Sequence, residues 1–420
     1  MNRRYTAAGA GRGDHFQIRS RNRSRSGAAW NERSVRGSVR TGRDGNQVTI
    51  MSRGSEWRVS GMSHETTFLE RANELNYRMK QKVSSLLNYT VPKHVFNRGV
   101  SPDELDERGR SRDVFSDRPS VPTYAYHPRP PDRIDRFTLE YGPFLTRRDV
   151  DDFGEVDFVA DPFLWNDGQG TWHVFFEVYN ESREPDAAIG HATSTNLLDW
   201  TYNQIVFETD LHVSFPYVFK WQNEYYMVPE RVDNKVVLLK AKRFPTEWER
   251  VTVPVSHHAV TNDAVVFRWD DRWWIAVNCT DDGENLYLYH AADLETADWT
   301  PHELNPVLSD RPDATRPAGR PVVLEDSIIF FYQDCSTIYG ESVSQYRITE
   351  LSESTFEDQP VGSNPLLAPT GGSVGWNSGR MHHIDPWWTG DEWICAVDGN
   401  VVDSGYFTYH NWSIGIHVGQ

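Results

Sequence analysis

Polar side chains of a few kinds recur at one kind of place in this sequence. Asp161 lies in Ala160-Asp161-Pro162, Asp263 in Asn262-Asp263-Ala264, and Arg316 in Arg316-Pro317-Ala318-Gly319. Two histidines lie in His382-His383-Ile384-Asp385, and Phe215-Pro216-Tyr217 occupies the same place elsewhere. Each stretch opens a short run of β-branched and aromatic residues. A second polar set, Glu177, Glu230 and Gln333-Asp334, closes the runs that follow. Several carboxyls around one funnel suit glycosyl chemistry. One acid of raised pKa protonates the leaving oxygen, while another carboxylate activates water or attacks the sugar. A third holds the first two in opposite states through like-charge repulsion. In that reading Asp161 is base or nucleophile, Glu230 is the acid and Asp263 is the modulator. Glu177, Tyr217, Arg316, Gln333, Asp334, His382 and His383 contact the sugar, and Trp165, Tyr217, Trp273 and Trp376 offer flat faces for stacking.

Each residue also has a plainer use. Asp161 before Pro162 fits a turn, and Asp263 fits a cap on its strand. Glu230 fits an ion pair with Arg231 or Arg316, and Arg316 a tie between neighbouring elements. His382 and His383 fit satisfied core histidines, and Asp334 a loop acid. No phosphate-binding Gly-rich loop, dinucleotide fingerprint, zinc motif or nucleophile elbow is present. The sequence therefore implies no cofactor and no metal ligand set.

The elements that must position these residues repeat. Each unit has a first strand, an aromatic second strand, a third ending in a small residue and a fourth starting near a Trp. In the first unit these are Asp161–Trp165, Trp172–Tyr179, Ile189–Ala192 and Trp200–Phe207. Further units open at Pro216, Asp263 and Gly319, and a fifth near His383. First strands 47 to 56 residues apart fit four-stranded blades. The expected fold class is all-β: a five-bladed propeller over 136–420, preceded by a helix and a disordered N-terminal arm. Residues Phe137–Leu145 could supply the strand that closes the ring. Trp200, Trp248 and Trp299 read as packing between blades.

The 420 residues include 43 Lys and Arg against 60 Asp and Glu, a net charge of −17. That charge is uneven. Residues 1–61 hold 13 Arg and 4 acids, near +9, so the remainder is near −26. The first 61 residues read as a disordered basic arm, which is either a nucleic-acid contact or a wrongly assigned start ahead of Met62. The acidic remainder does not suit nucleic acid and resembles the balance of halophilic cytosolic proteins of archaea. Residues 62–135 read as a helix from Thr67, stopped by Pro92, and a linker. No apolar run is long enough for a membrane span. Three widely spaced cysteines, Cys279, Cys335 and Cys395, point to thiols in a reducing, cytoplasmic setting.

Several of these stretches resemble one family. Phe158-Val159-Ala160-Asp161-Pro162-Phe163-Leu164 with Val174-Phe175-Phe176-Glu177 resembles the opening of the N-terminal propeller of plant glucosamine inositolphosphorylceramide transferases. His212-Val213-Ser214-Phe215-Pro216-Tyr217 with Tyr226-Met227-Val228-Pro229-Glu230 resembles its second blade. Arg316-Pro317-Ala318-Gly319 and Gln333-Asp334 with Tyr339-Gly340 extend the likeness over roughly 155–360. That propeller is similar in architecture to five-bladed arabinanase- and invertase-type glycoside hydrolases. The resemblance implies that Asp161 matches a first-blade catalytic Asp and Asp263 a mid-ring Asp. Where those hydrolases carry a later-blade Glu, this chain has Arg316-Pro317-Ala318-Gly319. The plant proteins also carry a glycosyltransferase domain, and none is recognised here after the last blade. The implied ligand is a glycan or sugar-containing molecule. The implied function is a hydrolase or transglycosidase, or else a non-catalytic sugar-binding propeller serving a glycosyltransferase partner.

Overall fold

In a computed structural model, residues 130–420 are described except 232, 281–283, 372–374 and 402–411, together with the backbone of three upstream strands. Those strands, β1 (Val35–Arg40), β2 (Gln47–Arg53) and β3 (Glu56–Ser60), pair antiparallel in chain order. They fall inside the arm read as disordered from its composition. Val48 and Ile50 alternate with polar residues, as do Trp57 and Val59, and the register sets Ile50 opposite Val59. The arginine-rich composition hides this period-two pattern. The unit containing these strands is separate from the propeller. The helix expected from Thr67 lies outside the described residues. Residues 130–135, read as the end of a linker, are docked on the propeller. Ile134 N–H donates to Gln345 Oε1 at 3.2 Å, and Gln345 Nε2 donates to Ile134 O at 2.7 Å.

The rest is the expected propeller. Strand β4 (Phe137–Leu145) leads through a 3-10 turn, Arg147–Asp149, into blade 1: β5 (Phe158–Asn166), β6 (Trp172–Tyr179), β7 (Ala187–Ser194) and β8 (Thr201–Phe207). Blade 2 is β9 (Val213–Trp221), β10 (Glu224–Arg231), β11 (Lys235–Arg243) and β12 (Glu247–Ser256). Blade 3 is β13 (Thr261–Trp269), β14 (Arg272–Thr280), β15 (Glu284–Ala291) and β16 (Thr300–Pro301). Blade 4 has a split inner strand, β17 (Arg316–Pro317) and β18 (Val322–Val323), then β19 (Ile328–Asp334), β20 (Ser342–Leu351) and β21 (Phe356–Pro360). Blade 5 is β22 (Ile384–Trp388), β23 (Trp393–Gly399) and β24 (Ser413–Gly419), with β4 as its fourth strand. Ile416 faces Tyr141 and Val418 faces Leu139 across that seam, so the ring closes through Phe137–Leu145 as the sequence suggested.

Inner strands read as continuous apolar runs because both faces are covered. All nine residues of β5 and all eight of β6 are buried. Outer strands such as β8 are more open, with Thr201, Asn203 and Gln204 exposed. A buried ion pair locks the axis. Arg320 Nε donates to Asp385 Oδ1 at 2.6 Å, and Arg320 Nη2 donates to Val218 O at 2.9 Å and Leu164 O at 3.3 Å. One side chain from blade 4 thus reaches blades 1, 2 and 5. The rings of Tyr217, Trp387 and Phe163 lie 5.1, 5.3 and 5.8 Å from its guanidinium carbon.

Candidate functional site

Three inner strands carry a left-handed residue at the same place. Asp161 has φ 52°, Phe215 45° and Asp263 48°. The ladder to the second strand slips there in each blade, at Ala160/Phe163, opposite Val228/Glu230 and at Asn262/Val265. These slips are β-bulges, which re-aim a side chain. They also tolerate Pro162 and Pro216, since a bulge needs no ladder donor there. A non-glycine residue held in this conformation costs about 1–3 kcal/mol, a cost that concentrates at functional sites. In blade 4 the inner strand is split, and Gly319 holds φ 146°, where an added Cβ would lie 1.8 Å from Ile384 O.

A ring of buried polar residues backs the bulges from the second strands. Glu177 stands opposite Ala160, Glu230 opposite Ser214, Asn278 opposite Asn262 and Gln333 opposite Arg316. Asp398, one residue past the Val397–Ile384 pair, is the blade 5 member. Two of these acids reach across to the next blade and satisfy the backbone N–H that the bulge sets free. Asp263 N–H donates to Glu230 Oε2 at 2.7 Å, and Asp161 N–H donates to Asp398 Oδ2 at 3.2 Å.

Two groups of ionisable side chains result. In the first, Arg316 Nε donates to Asp263 Oδ2, Gln333 Nε2 donates to the same oxygen at 2.8 Å, and Arg316 Nη2 lies 3.8 Å from Glu230 Oε2. Burial and then the nearby Asp263 push the Glu230 carboxyl well above the usual carboxylate range, and Arg316 only partly opposes this. The ion pair with Arg316 that was the plainer reading of Glu230 is therefore part of the arrangement. In the second group, Asp398 Oδ1 accepts the backbone N–H groups of His382 and His383 at 3.1 and 3.0 Å. His382 Nδ1 lies 2.8 Å from Asp398 Oδ2 and 3.9 Å from Asp161 Oδ1, and His383 Nδ1 lies 3.7 Å from Asp161 Oδ1. Burial, then the charges of Glu177 and Asp398, push the Asp161 carboxyl well above its usual range. Glu177 itself meets His212, whose Nε2 is 3.4 Å from Glu177 Oε1 and whose Nδ1 is 2.8 Å from Asp186 Oδ1. Burial alone would lower the His212 pKa, but the two carboxylates outweigh it and raise the pKa to about 10.

The structure thus gathers Asp161, Glu177, Glu230, Asp263, Arg316, Gln333, His382 and His383 at the inner ends of the blades. It does not bring Tyr217 or Asp334 to them. Tyr217 is fully buried and its hydroxyl donates to Val266 O at 2.7 Å, so it offers no face to a ligand. Asp334 Oδ1 caps a turn, accepting from Ser336 N–H at 2.9 Å and Ser336 Oγ at 2.6 Å. Trp165, Trp273 and Trp376 are likewise buried. The exposed aromatic is Tyr339, whose ring lies 4.9 Å from the Arg316 guanidinium and edge-on to His382. Asp398, His212 and Tyr339 were not among the sequence candidates. Asp398 had a signal: it ends a second strand, as Glu177 and Glu230 do.

The family described as "Glucosamine inositolphosphorylceramide transferase 1, N-terminal" matches residues 141–400. The chain belongs to this family. The match starts in β4, ends just after β23, and takes in the inner strands of all five blades. Within the glucosamine inositolphosphorylceramide transferase 1 family, the Oryza sativa subsp. indica relative is 33% identical over 260 residues, which is 59% of this chain and 34% of that protein. The Arabidopsis thaliana relative is 29% identical over 262 residues, 59% of this chain and 33% of that protein. The chain therefore spans about a third of the length of the curated relatives it matches. Among solved structures, the catalytic domain of Coprinopsis cinerea GH62 α-L-arabinofuranosidase superposes with a TM-score of 0.51 at 13% identity, covering 68% of this chain and 98% of that one. A β-1,2-mannobiose phosphorylase from Listeria innocua gives 0.50 at 12% identity, covering 67% and 96%. Likeness at this identity shows the propeller fold alone. Among the described residues no helix is long and apolar enough to cross a membrane.

Proposed function

We propose that the inner ends of the blades form a sugar site that cleaves or transfers a glycosyl group of a glycan or glycoconjugate, with Glu230 as the proton donor. The observation that carries this is the unequal treatment of two neighbouring carboxyls. Asp263 receives Arg316 and Gln333 on one oxygen, while Glu230 receives a single backbone N–H, has Arg316 only at 3.8 Å, and is otherwise desolvated. Neighbouring acids in such unequal surroundings are suited to divide the roles of proton donor and charge stabiliser. Arg316, Gln333 and Tyr339 supply donors and a flat face for sugar hydroxyls and rings. Asp161, at the equivalent bulge of blade 1, stands for the water side of the reaction, directly or through what it binds. The name of the family supports a glycoconjugate as the ligand. The competing reading is a sugar-binding propeller without chemistry, serving a glycosyltransferase. It is favoured by Arg316, which ion-pairs with both Glu230 and Asp263 and so ties up the carboxyls that chemistry would need.

The test is turnover of aryl glycosides and glycoconjugates, with calorimetric binding in parallel. Glu230→Gln keeps an oxygen for Asp263 N–H, so the fold persists while proton donation is lost. General-acid assistance is worth about 10²–10⁴-fold, and that loss is expected with binding held within a few-fold. Full activity in Glu230→Gln refutes the assignment. Binding without turnover, abolished by Arg316→Ala, establishes the accessory reading instead.

A further inference from the structure

We propose that Asp161, His382 and Asp398 form a binding site for a divalent metal ion of the manganese–zinc type, where blade 5 meets blade 1. One ligand atom from each lies within 4.8 Å of the other two, and all three residues are buried. The His382 nitrogen supplies the second, independent sign. Its Nδ1 is only 2.8 Å from Asp398 Oδ2, yet the contact lacks hydrogen-bond geometry, and this atom has no hydrogen-bond partner although the residue is 4% exposed. His383 Nδ1, in a residue with no exposure, is likewise without one and faces Asp161 Oδ1 at 3.7 Å. Buried imidazole nitrogens pointing at carboxylate oxygens without bonding to them are expected of ligands that await a cation.

Charge argues in the same direction. The ion-pair partners of Asp161 and Asp398 among the described residues are these two histidines, and no Arg or Lys contacts either acid. Burying two carboxylates side by side is costly unless cations or metals compensate. Two oxygens and one imidazole nitrogen suit zinc or manganese, since carboxylates alone would favour calcium or magnesium. At bond lengths of about 2.0–2.2 Å, tetrahedral ligand atoms sit about 3.4 Å apart. Asp161 Oδ1 and His382 Nδ1, now 3.9 Å apart, must therefore approach by about half an ångström, and His382 Nδ1 and Asp398 Oδ2, now 2.8 Å apart, must separate by about as much. The supports for such a site are built in. Asp398 is anchored by the backbone N–H groups of His382 and His383, and the His382 ring is stacked on Trp412 with 4.0 Å between centroids. Anchored ligands of this kind are what sustain metal affinity. Three protein ligands leave a coordination position for water or a sugar hydroxyl.

The test needs no sugar, so it stands or falls apart from the glycosyl reading. The full chain is stripped with a chelator, dialysed, and titrated with Zn²⁺, Mn²⁺ and Ca²⁺ by calorimetry and thermal melting. One equivalent of Zn²⁺ or Mn²⁺ should bind and raise Tm by several degrees. His382→Gln removes the ion pair with Asp398 and the stack on Trp412, so it is judged against its own stripped form: the metal-induced rise in Tm should vanish and affinity should fall at least about 100-fold. Asp161→Asn should lose binding similarly. Asp398→Asn removes backbone caps, so any misfolding there leaves the other two variants to decide. Absence of Zn²⁺ and Mn²⁺ binding to the wild type overturns the proposal. So does undiminished binding in His382→Gln and Asp161→Asn, or a Ca²⁺ site indifferent to His382.

Discussion

Replacing Arg320 with Met tests how the ring is held. Arg320 and Asp385 are both fully buried. The guanidinium bonds Asp385 at 2.6 Å and the carbonyls of Val218 and Leu164. Met fills similar space among Phe163, Tyr217 and Trp387 but leaves Asp385 without its cation. Stranding one partner of a buried pair costs about 3–5 kcal/mol. For a domain of this size each kcal/mol moves Tm by about 2–4 °C, so the midpoint should fall by roughly 6–20 °C. Asp385 alone is also informative. Burial already raises its pKa against the pull of Arg320. Without Arg320 the raised pKa favours a protonated, neutral Asp385, so the deficit of Arg320→Met should shrink as pH falls. The double variant Arg320→Met/Asp385→Leu removes both charges. It leaves Leu164 N–H and Trp387 Nε1, now 2.6 and 3.1 Å from Asp385 Oδ2, without their acceptor. Each orphaned donor costs about 1–3 kcal/mol, so recovery is incomplete. Urea denaturation of the four-protein cycle should still show coupling of at least about 2 kcal/mol. A double variant whose loss equals the sum of the two singles would mean the pair does not act as a unit, and the reasoning fails.

Other expectations concern the seam and the site. Gly319→Ala places a Cβ against Ile384 O and should cost about 2–4 kcal/mol in urea denaturation; an unchanged midpoint would show that the blade 4–5 approach is looser than drawn. His212, with a folded-state pKa of about 10 against about 6.5 unfolded, contributes stability that is full below about pH 6.5 and lost as pH rises through 10. His212→Gln should flatten the alkaline decline by roughly 2–4 kcal/mol between pH 7 and 10.5; parallel pH profiles would refute the Glu177–His212–Asp186 bridge.

Strand-level structure was readable because both-face burial writes itself into sequence as apolar runs. Trp172–Tyr179 was bounded to the residue. Blade 4 was harder: the inner strand expected to open at Gly319 is instead two short pieces around it, and the close approach of Gly319 to Ile384 depends on another blade. The site was legible where acids and histidines open inner strands. It was not legible where the decisive contact crosses blades. Asp161, His382 and Asp398 are brought together only by ring closure, so no local spacing announces them. Tyr217 misled because an aromatic beside a bulge looks like a platform, whereas its ring is sealed over Arg320.

The pairing of β4 with β24 has a consequence for the order in which the chain folds. Leu139 must find Val418, so the strand made first in the propeller waits through four complete blades for its partner. During synthesis at about 5–20 residues per second, that interval is on the order of tens of seconds. Throughout it, β4 is an unpaired edge with an apolar face, the kind of surface that recruits other chains. Contacts this distant in sequence also slow the final step of folding. Nascent chains released before Ser413–Gly419 emerges should therefore aggregate or be captured by chaperones, and the last seven-residue strand decides whether blades that have already formed become a ring.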